Sequence, residues 1–216
     1  MKELLTVKDM RVFLFPLGFH EDPAIRVLVE FKSNVEDEAH AFTCQPLSPG
    51  SKRAFESLKA FSSSQRFPDP ALVLVNCSSF YESFKVVRGI VEPRDALFIV
   101  EVGMGPRIIS HAIIQALIYS NKDFMIHYEP ETGVDSPITV DHRFLKILRE
   151  GLSSSELRLL EALSHGEASM PELAGVLGVS EKTVRNIVSR LRAKGLIAKI
   201  GKRERVVLTE AGRALV

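Results

Sequence analysis

Apolar residues along the first 130 positions fall into short unbroken runs rather than strict alternation. RVFLFPLG (11–18), AHAFTCQP (39–46), ALVLVN (71–76), ALFIVEV (96–102) and FMIHYEP (124–130) read as strands. Between them lie PAIRVLVEFKSN (23–34), SPGSKRAFESLKAFSSS (48–64), SFYESFKVVRGI (79–90) and PRIISHAIIQALIYS (106–120), all with helical spacing. Ser48 stands where the second of these needs an N-cap. Continuous apolar strands alternating with helices predict a mostly parallel sheet covered on both faces. EPETGVDSP (129–137) is the first long polar stretch and reads as a linker or loop. ITV (138–140) offers a sixth strand, and DHRFLKILREG (141–151) a short connecting helix.

The pattern then changes to short helices with marked starts. SSSE (153–156) and SMPE (169–172) are capping boxes, in which a serine and a glutamate satisfy each other's free backbone donors. Ser180 caps a third helix, EKTVRNIVSRLRAKG, and LIAKI, GKRE and RVVLT follow as a hairpin before a final short helix, EAGRALV. Gly178 falls where the preceding helix must end in a left-handed turn. Leu173, Leu177, Val179, Val184, Ile187 and Leu191 are expected to form the shared core, with Ala174 at the crossing. This is a helix-turn-helix with a wing. The predicted class is therefore α/β: a doubly wound, mostly parallel, Rossmann-like sheet over 1–130. A linker and connecting helix occupy 131–152, and an α+β winged helix-turn-helix domain occupies 153–216.

Charge divides along the same line. Residues 1–152 hold 17 Lys+Arg against 20 Asp+Glu, a net of −3, and residues 153–216 hold 11 against 7, a net of +4. Lys182, Thr183, Arg185, Asn186, Ser189 and Arg190 fall on the outward face of the third C-terminal helix, beside its cap Ser180. Lys202, Arg203 and Arg205 mark the wing. Basic and amide side chains so placed suit phosphate and base-edge contacts in the major groove of double-stranded DNA. Arg192 and Lys194 are expected to face solvent or phosphate. The plainer alternative is a solvated helix in a protein-binding winged helix. The segment resembles the winged helices of bacterial and archaeal transcription regulators.

In the first domain, VGMGPR (102–107) follows the fourth strand and opens a helix. The third glycine of a dinucleotide fingerprint is replaced by Ile108, which counts against a redox regulator binding NAD. A strand order of 3-2-1-4-5 makes strands one and four neighbours whose connections leave on opposite faces. The turn LGFH (17–20) and the turn GMGPR (103–107) then line one crevice. Gly103 and Gly105 bring backbone N–H groups toward an anion, the helix after Pro106 points its positive end at it, and Arg107 adds a forked donor. Otherwise the glycines serve only a tight turn, and Arg107 pairs with Glu101 or another acid. Phe19 stacks on a base or joins the core; His20 bonds a phosphate or caps the turn.

Taken together, FPLGFHEDPAIRVL and IVEVGMGPRIISHAII match in place and order the two motifs of a CARF (CRISPR-associated Rossmann fold) domain. The chain resembles the CRISPR-associated transcription regulators built from a CARF domain and a C-terminal winged helix, over essentially its whole length. The resemblance implies a homodimer that senses a cyclic oligoadenylate, most often the tetra-adenylate, across its axis. It implies crevice roles for Leu17, Gly18, Phe19, His20, Gly103, Met104, Gly105, Pro106 and Arg107, although Met104 departs from the small residue usual there. Some CARF proteins are ring nucleases that cleave this messenger; here only His20 or His111 stands near the glycine loop as a base, so no catalytic residue is assigned.

The remaining expectations are brief. The helix at 106–120 carries apolar residues on more than one face, from Ile108 to Leu117, which suggests a homodimer contact at a two-fold axis beside the crevice, or otherwise a longer connection covering that face. Cys44 and Cys77, 33 residues apart with no metal spacing, read as buried reduced thiols. No metal and no cofactor are expected. No apolar run approaches the roughly 18 residues of a membrane helix, and no secretory leader is visible, so the expected location is the cytoplasm.

Overall fold

A computed structural model describes residues 10–128, 138–200 and 205–216. The chain forms two compact units, Met1–His142 and Arg143–Val216. In the first, strands β1 (Arg11–Pro16), β2 (Glu38–Cys44), β3 (Pro70–Val75), β4 (Leu97–Glu101) and β5 (Asp123–Tyr128) alternate with helices α1 (Asp22–Glu30), α2 (Pro49–Gln65), α3 (Phe80–Val91) and α4 (Arg107–Tyr119). A last strand, β6 (Ile138–Asp141), completes a six-stranded sheet of order β3-β2-β1-β4-β5-β6. All neighbours are parallel except β6, which runs antiparallel to β5. The chain turns back from one side of the sheet to the other between β1 and β4, as a doubly wound order requires.

The two central strands are buried on both faces, which is why their sequences are unbroken apolar runs. Phe13 and Phe15 of β1, with Leu17 just beyond it, pack with Ala24, Val27 and Leu28 of α1 and with Ala54 and Leu58 of α2. On the remaining helices the apolar surplus of α4 has a local cause. Ile109, Ala112, Ile113, Ala116 and Leu117 are all buried, and α3 packs along α4 within the same protomer. The second apolar face is thus covered by α3, leaving Ile108, Ile114 and Ile118 half-buried.

The expectation of two reduced thiols is overturned: Cys44 and Cys77 form a disulfide with 5.4 Å between their Cα atoms. Sequence separation hid the pairing. Cys44 ends β2, its register partner is Val75 at the end of β3, and Cys77 lies two residues beyond, so parallel pairing brings the thiols together.

The second unit contains α5 (His142–Glu150), α6 (Ser154–Leu163), α7 (Met170–Leu177), α8 (Glu181–Ala193), β7 (Ile197–Ile200), β8 (Arg205–Leu208) and α9 (Glu210–Arg213). Both capping boxes form, and Gly178 ends α7 in the left-handed region at φ 66°. Leu173, Leu177, Val184, Ile187 and Leu191 are buried together with Leu159, Leu160, Leu196 and Val206. Val179, expected in that core, is exposed because it lies in the turn between α7 and α8. The stretch 131–152 is divided between the units: 138–141 extends the sheet as β6, whereas Ile147 of α5 joins the second core. The polar stretch 129–137 and the hairpin tip 201–204 lie outside the described residues.

One contact fixes the geometry of the first unit at its functional end. A Cβ on Gly105, whose φ is +71°, would lie 2.0 Å from the carbonyl oxygen of Pro16, and one on Gly18 would lie 3.0 Å from the Cα of Gly105. The turns after β1 and β4 therefore touch backbone to backbone. Gly105→Ala meets both a left-handed backbone and a clash with main chain that has no flexible end to yield. It is expected to lower stability by ~1–3 kcal/mol or more, read by urea unfolding; wild-type stability would show that the turns can separate freely.

Candidate functional site

The two turns open onto a crevice of about 610 Å³ at the carboxyl ends of the central strands, within the ~300–1,000 Å³ range of ligand sites. Gly18, Phe19 and His20 line it from the first turn, and Gly103, Met104, Gly105 and Pro106 from the second. Leu17 does not: its side chain is fully buried in the core and its N–H donates to the carbonyl of Phe42 at 2.7 Å. Arg107, the first residue of α4, is exposed directly beyond the lining residue Pro106 and makes no ion pair among the described residues. His111 is exposed on α4 and is not part of the lining.

Glu101 changes the expected use of the glycine loop. It is completely buried at the end of β4, and its Oε1 accepts the N–H of Gly103 at 2.7 Å. The Gly103 amide is thus already engaged, and by an acid at the loop's base. Gly105 serves the close approach to Pro16. The donors left for an anion are the start of α4 and the Arg107 guanidinium.

A second wall was not found from the sequence. Pro23, Thr43, Cys44, Pro46, Ser48 and Ser51 complete the crevice. They come from the end of β2, the start of α2 and the first turn of α1. The predicted strand order contained the signal, since it makes β2 the neighbour of β1 and starts the next helix at the same sheet end. Ser48 is spent on capping, its Oγ accepting the Ser51 N–H at 3.0 Å. The ring of Phe19 rests one edge against α2, where a Cβ on Gly50 would lie 2.6 Å from its Cδ1, and is otherwise 69% exposed.

In the second unit α8 presents a polar face. Lys182, Asn186 and Ser189 point opposite its buried row of Val184, Ile187, Val188 and Leu191. Ser180 and Thr183 secure the helix start: the Ser180 Oγ accepts the Thr183 N–H at 3.2 Å and lies 3.0 Å from the Thr183 hydroxyl. Arg185 pairs loosely with Glu181, one turn back, at 3.3 Å, an exposed contact that costs little to exchange. With Ser189, Arg192 and Lys199 it lines a shallow pocket of about 340 Å³ between α8 and β7. Lys199 was not anticipated; it becomes adjacent only when the hairpin folds beside α8.

Two arginines expected to meet DNA, Arg190 on the helix and Arg205 in the wing, have local acidic partners. Arg205 Nε lies 2.9 Å from Glu167, and its guanidinium also approaches Glu172 at 3.4 Å, bracing the start of α7. Arg190 leans to the opposite flank, 3.8 Å from Glu156. Lys202 and Arg203 lie outside the described residues.

Glu156 ties the helices of this unit together. It caps α6 through the Ser153 N–H at 2.9 Å and receives the Lys194 ammonium at 2.8 Å from the end of α8. Burial raises its carboxyl, but hydrogen bonds from Lys194 and Ser153 outweigh burial and hold it below the ordinary carboxylate value. Its contribution to stability is therefore whole at neutral pH and is lost as pH falls through that lowered value. A carbon NMR titration should find Glu156 still ionised when exposed glutamates are half protonated, and Glu156→Gln should remove its share of acid destabilisation. Titration alongside the exposed glutamates would contradict this.

Comparison with known proteins agrees with this architecture. Residues 11–141, more than half of the chain, match the family model described as the Csa3 CRISPR-associated Rossmann-like domain, and residues 150–205 match that of the MarR family. A curated relative is 28% identical over 204 residues, covering 94% of this chain and 86% of its own: Csa3 of Saccharolobus solfataricus, whose name ties it to a CRISPR locus and to DNA binding. Among solved structures, RV1404 from Mycobacterium tuberculosis is 30% identical over 34% of this chain and 54% of its own, at a TM-score of 0.30. Bordetella bronchiseptica BpsR, whose DNA binding is regulated by 6-hydroxynicotinic acid, is 30% identical over 35% of this chain and 61% of its own, also at 0.30. The chain thus spans little more than half the length of these two crystallised chains. With its Rossmann-like first unit and MarR-type winged helix, the chain belongs to the Csa3 family of CRISPR-associated proteins.

Proposed function

We propose that the protein is a DNA-binding transcription regulator of CRISPR-associated loci whose first unit senses a cyclic oligoadenylate, with the tetra-adenylate as the leading ligand. The observation that carries this reading is the crevice at the switch point between β1 and β4, with Arg107 exposed just beyond its lining and without an ion pair among the described residues. A first domain of net charge −3 does not attract a polyanion through its overall field, so capture rests on local donors. A homodimer would present two such mouths to one ring, a symmetric match that a linear dinucleotide lacks. The second unit supplies the DNA contact, with Lys182, Arg185, Asn186 and Ser189 on the helix and Arg192 and Lys199 on its flank.

A ring nuclease remains the enzymatic counter-reading because His20 lines the crevice. Linear oligoadenylate appearing when the ring is incubated with excess protein would favour it.

Calorimetry with cyclic tetra-adenylate tests the ligand. The parent protein should bind it, and Arg107→Ala should lose at least tenfold in affinity, with the circular dichroism spectrum unchanged. Equal affinities would mean that the glycine loop is only a turn. For DNA, Arg185→Ala should cost ~1–3 kcal/mol and relax sequence preference, whereas Lys199→Ala should weaken all sequences alike and reduce the salt slope by about 1. Unchanged affinity in both variants across a salt series would remove this face as the reader.

A further inference from the structure

The second wall of the crevice contains a covalent bond as well as side chains. Cys44, which lines the cavity at the end of β2, is joined to Cys77 in the turn between β3 and α3. Just after Cys44, Ser48 caps α2, and just after Cys77, Ser79 caps α3. The bond therefore clamps the starts of two helices together across the end of β3, the edge strand of the sheet. Past Cys44, the Gln45 N–H donates to the Val75 carbonyl at 2.9 Å, a single hydrogen bond at the sheet's end. The turn that carries Cys77 is closed on its own helix: the Asn76 side-chain oxygen accepts the Ser78 N–H at 3.0 Å, and the Asn76 carbonyl accepts the Ser83 hydroxyl at 3.0 Å. Both cysteines are half-buried rather than enclosed in the core.

Placement and exposure bear on what this bond does. A disulfide that only staples a fold resists exchange, whereas an exposed one is open to attack by thiols. On the reading above the protein works beside DNA inside a cell, where dithiols keep most cysteines reduced. Outside hyperthermophiles, a disulfide formed there is ordinarily a transient or redox-sensing one. We propose that Cys44–Cys77 is a thiol–disulfide exchange site: its reduction loosens the second wall of the crevice and so lowers the affinity for whatever binds there. The effect on affinity rests on the ligand reading; the exchange and the loosening do not.

The reductant is a dithiol. Its thiolate attacks the sulfur of Cys44 from the crevice side, the S–S bond breaks, and Cys77 leaves as a thiolate that takes up a proton. The second thiol of the reductant then displaces Cys44 from the mixed disulfide. Two electrons and two protons pass to the protein, and the dithiol becomes a disulfide. The wall from Thr43 to Ser51 thereby loses its tie to the start of α3, and a ligand that needs it in place must order it on binding. Such coupling is reciprocal, so a bound ligand makes the disulfide harder to reduce by the same factor.

The test uses the folded full chain, first oxidised with glutathione disulfide and then reduced with dithiothreitol. Alkylation by N-ethylmaleimide, read by mass spectrometry, should find neither cysteine modified in the oxidised protein and both in the reduced one, with the circular dichroism spectrum unchanged. On reduction, amide hydrogen exchange should quicken over 43–51 and 76–83 and stay the same over β1 and β4. Cyclic tetra-adenylate should bind the oxidised protein about 5- to 150-fold more tightly than the reduced one. Cys77→Ser breaks the bond from outside the crevice lining and should show the lower affinity with or without dithiothreitol. Cysteines that stay free under glutathione disulfide, a bond that opens only on unfolding, unchanged exchange over 43–51, or equal affinity for a ring that binds both states would each overturn the proposal. If the ring binds neither state while alkylation and exchange behave as expected, the messenger assignment fails and the exchange site stands.

Discussion

The backbone contact between the turns after β1 and β4 is the constraint on which the first unit's chemistry depends. Gly105 can lie against Pro16 only without a Cβ, and in that position the start of α4 is drawn to the same sheet end as the first turn. The crevice, the placement of Phe19 over α2 and the position of Arg107 at the mouth all follow from this approach. The glycines are thus explained by packing before any ligand is considered. Their appearance as a phosphate fingerprint is a by-product of two adjacent parallel strands whose connections part to opposite faces.

Glu101 adds a second physical distinction. Glu101, buried at the end of β4, accepts the Gly103 N–H and holds the loop in shape. On the proposed reading, a phosphate is held outside the lining, at Arg107 and the start of α4. The second unit uses charge in the same divided way. Arg205, Arg190 and Lys194 are bound to Glu167, Glu172 and Glu156 and hold the helices together, whereas Lys182 and Arg192 are exposed on the open side of α8.

The strands, the helices and both capping boxes were legible in the sequence because each rests on local pattern: unbroken apolar runs, a serine three residues before a glutamate, a glycine at a helix end; the strand order followed only from the doubly wound topology these elements imply. The second wall of the crevice was not, because Thr43, Pro46 and Ser51 carry no motif and gain meaning only from β2 lying beside β1. The Cys44–Cys77 bond, the bracing of Arg205 and the pairing of Lys199 with α8 were hidden for the same reason: each depends on which strands meet. The apolar excess of α4 was read as a second buried face, at a dimer axis or under a longer connection; sequence pattern does not identify what covers it, and α3 packs there.

Regulation requires that the two units speak to each other, and a ligand can shift DNA affinity only by binding two states of the protein unequally. The most direct test is the affinity of the full chain for promoter DNA from its own CRISPR locus, measured with and without saturating cyclic tetra-adenylate at fixed salt. A change of roughly 5- to 150-fold is expected, matched by an equal change in ligand affinity when DNA is present. Identical DNA affinity with the ligand demonstrably bound would contradict the account.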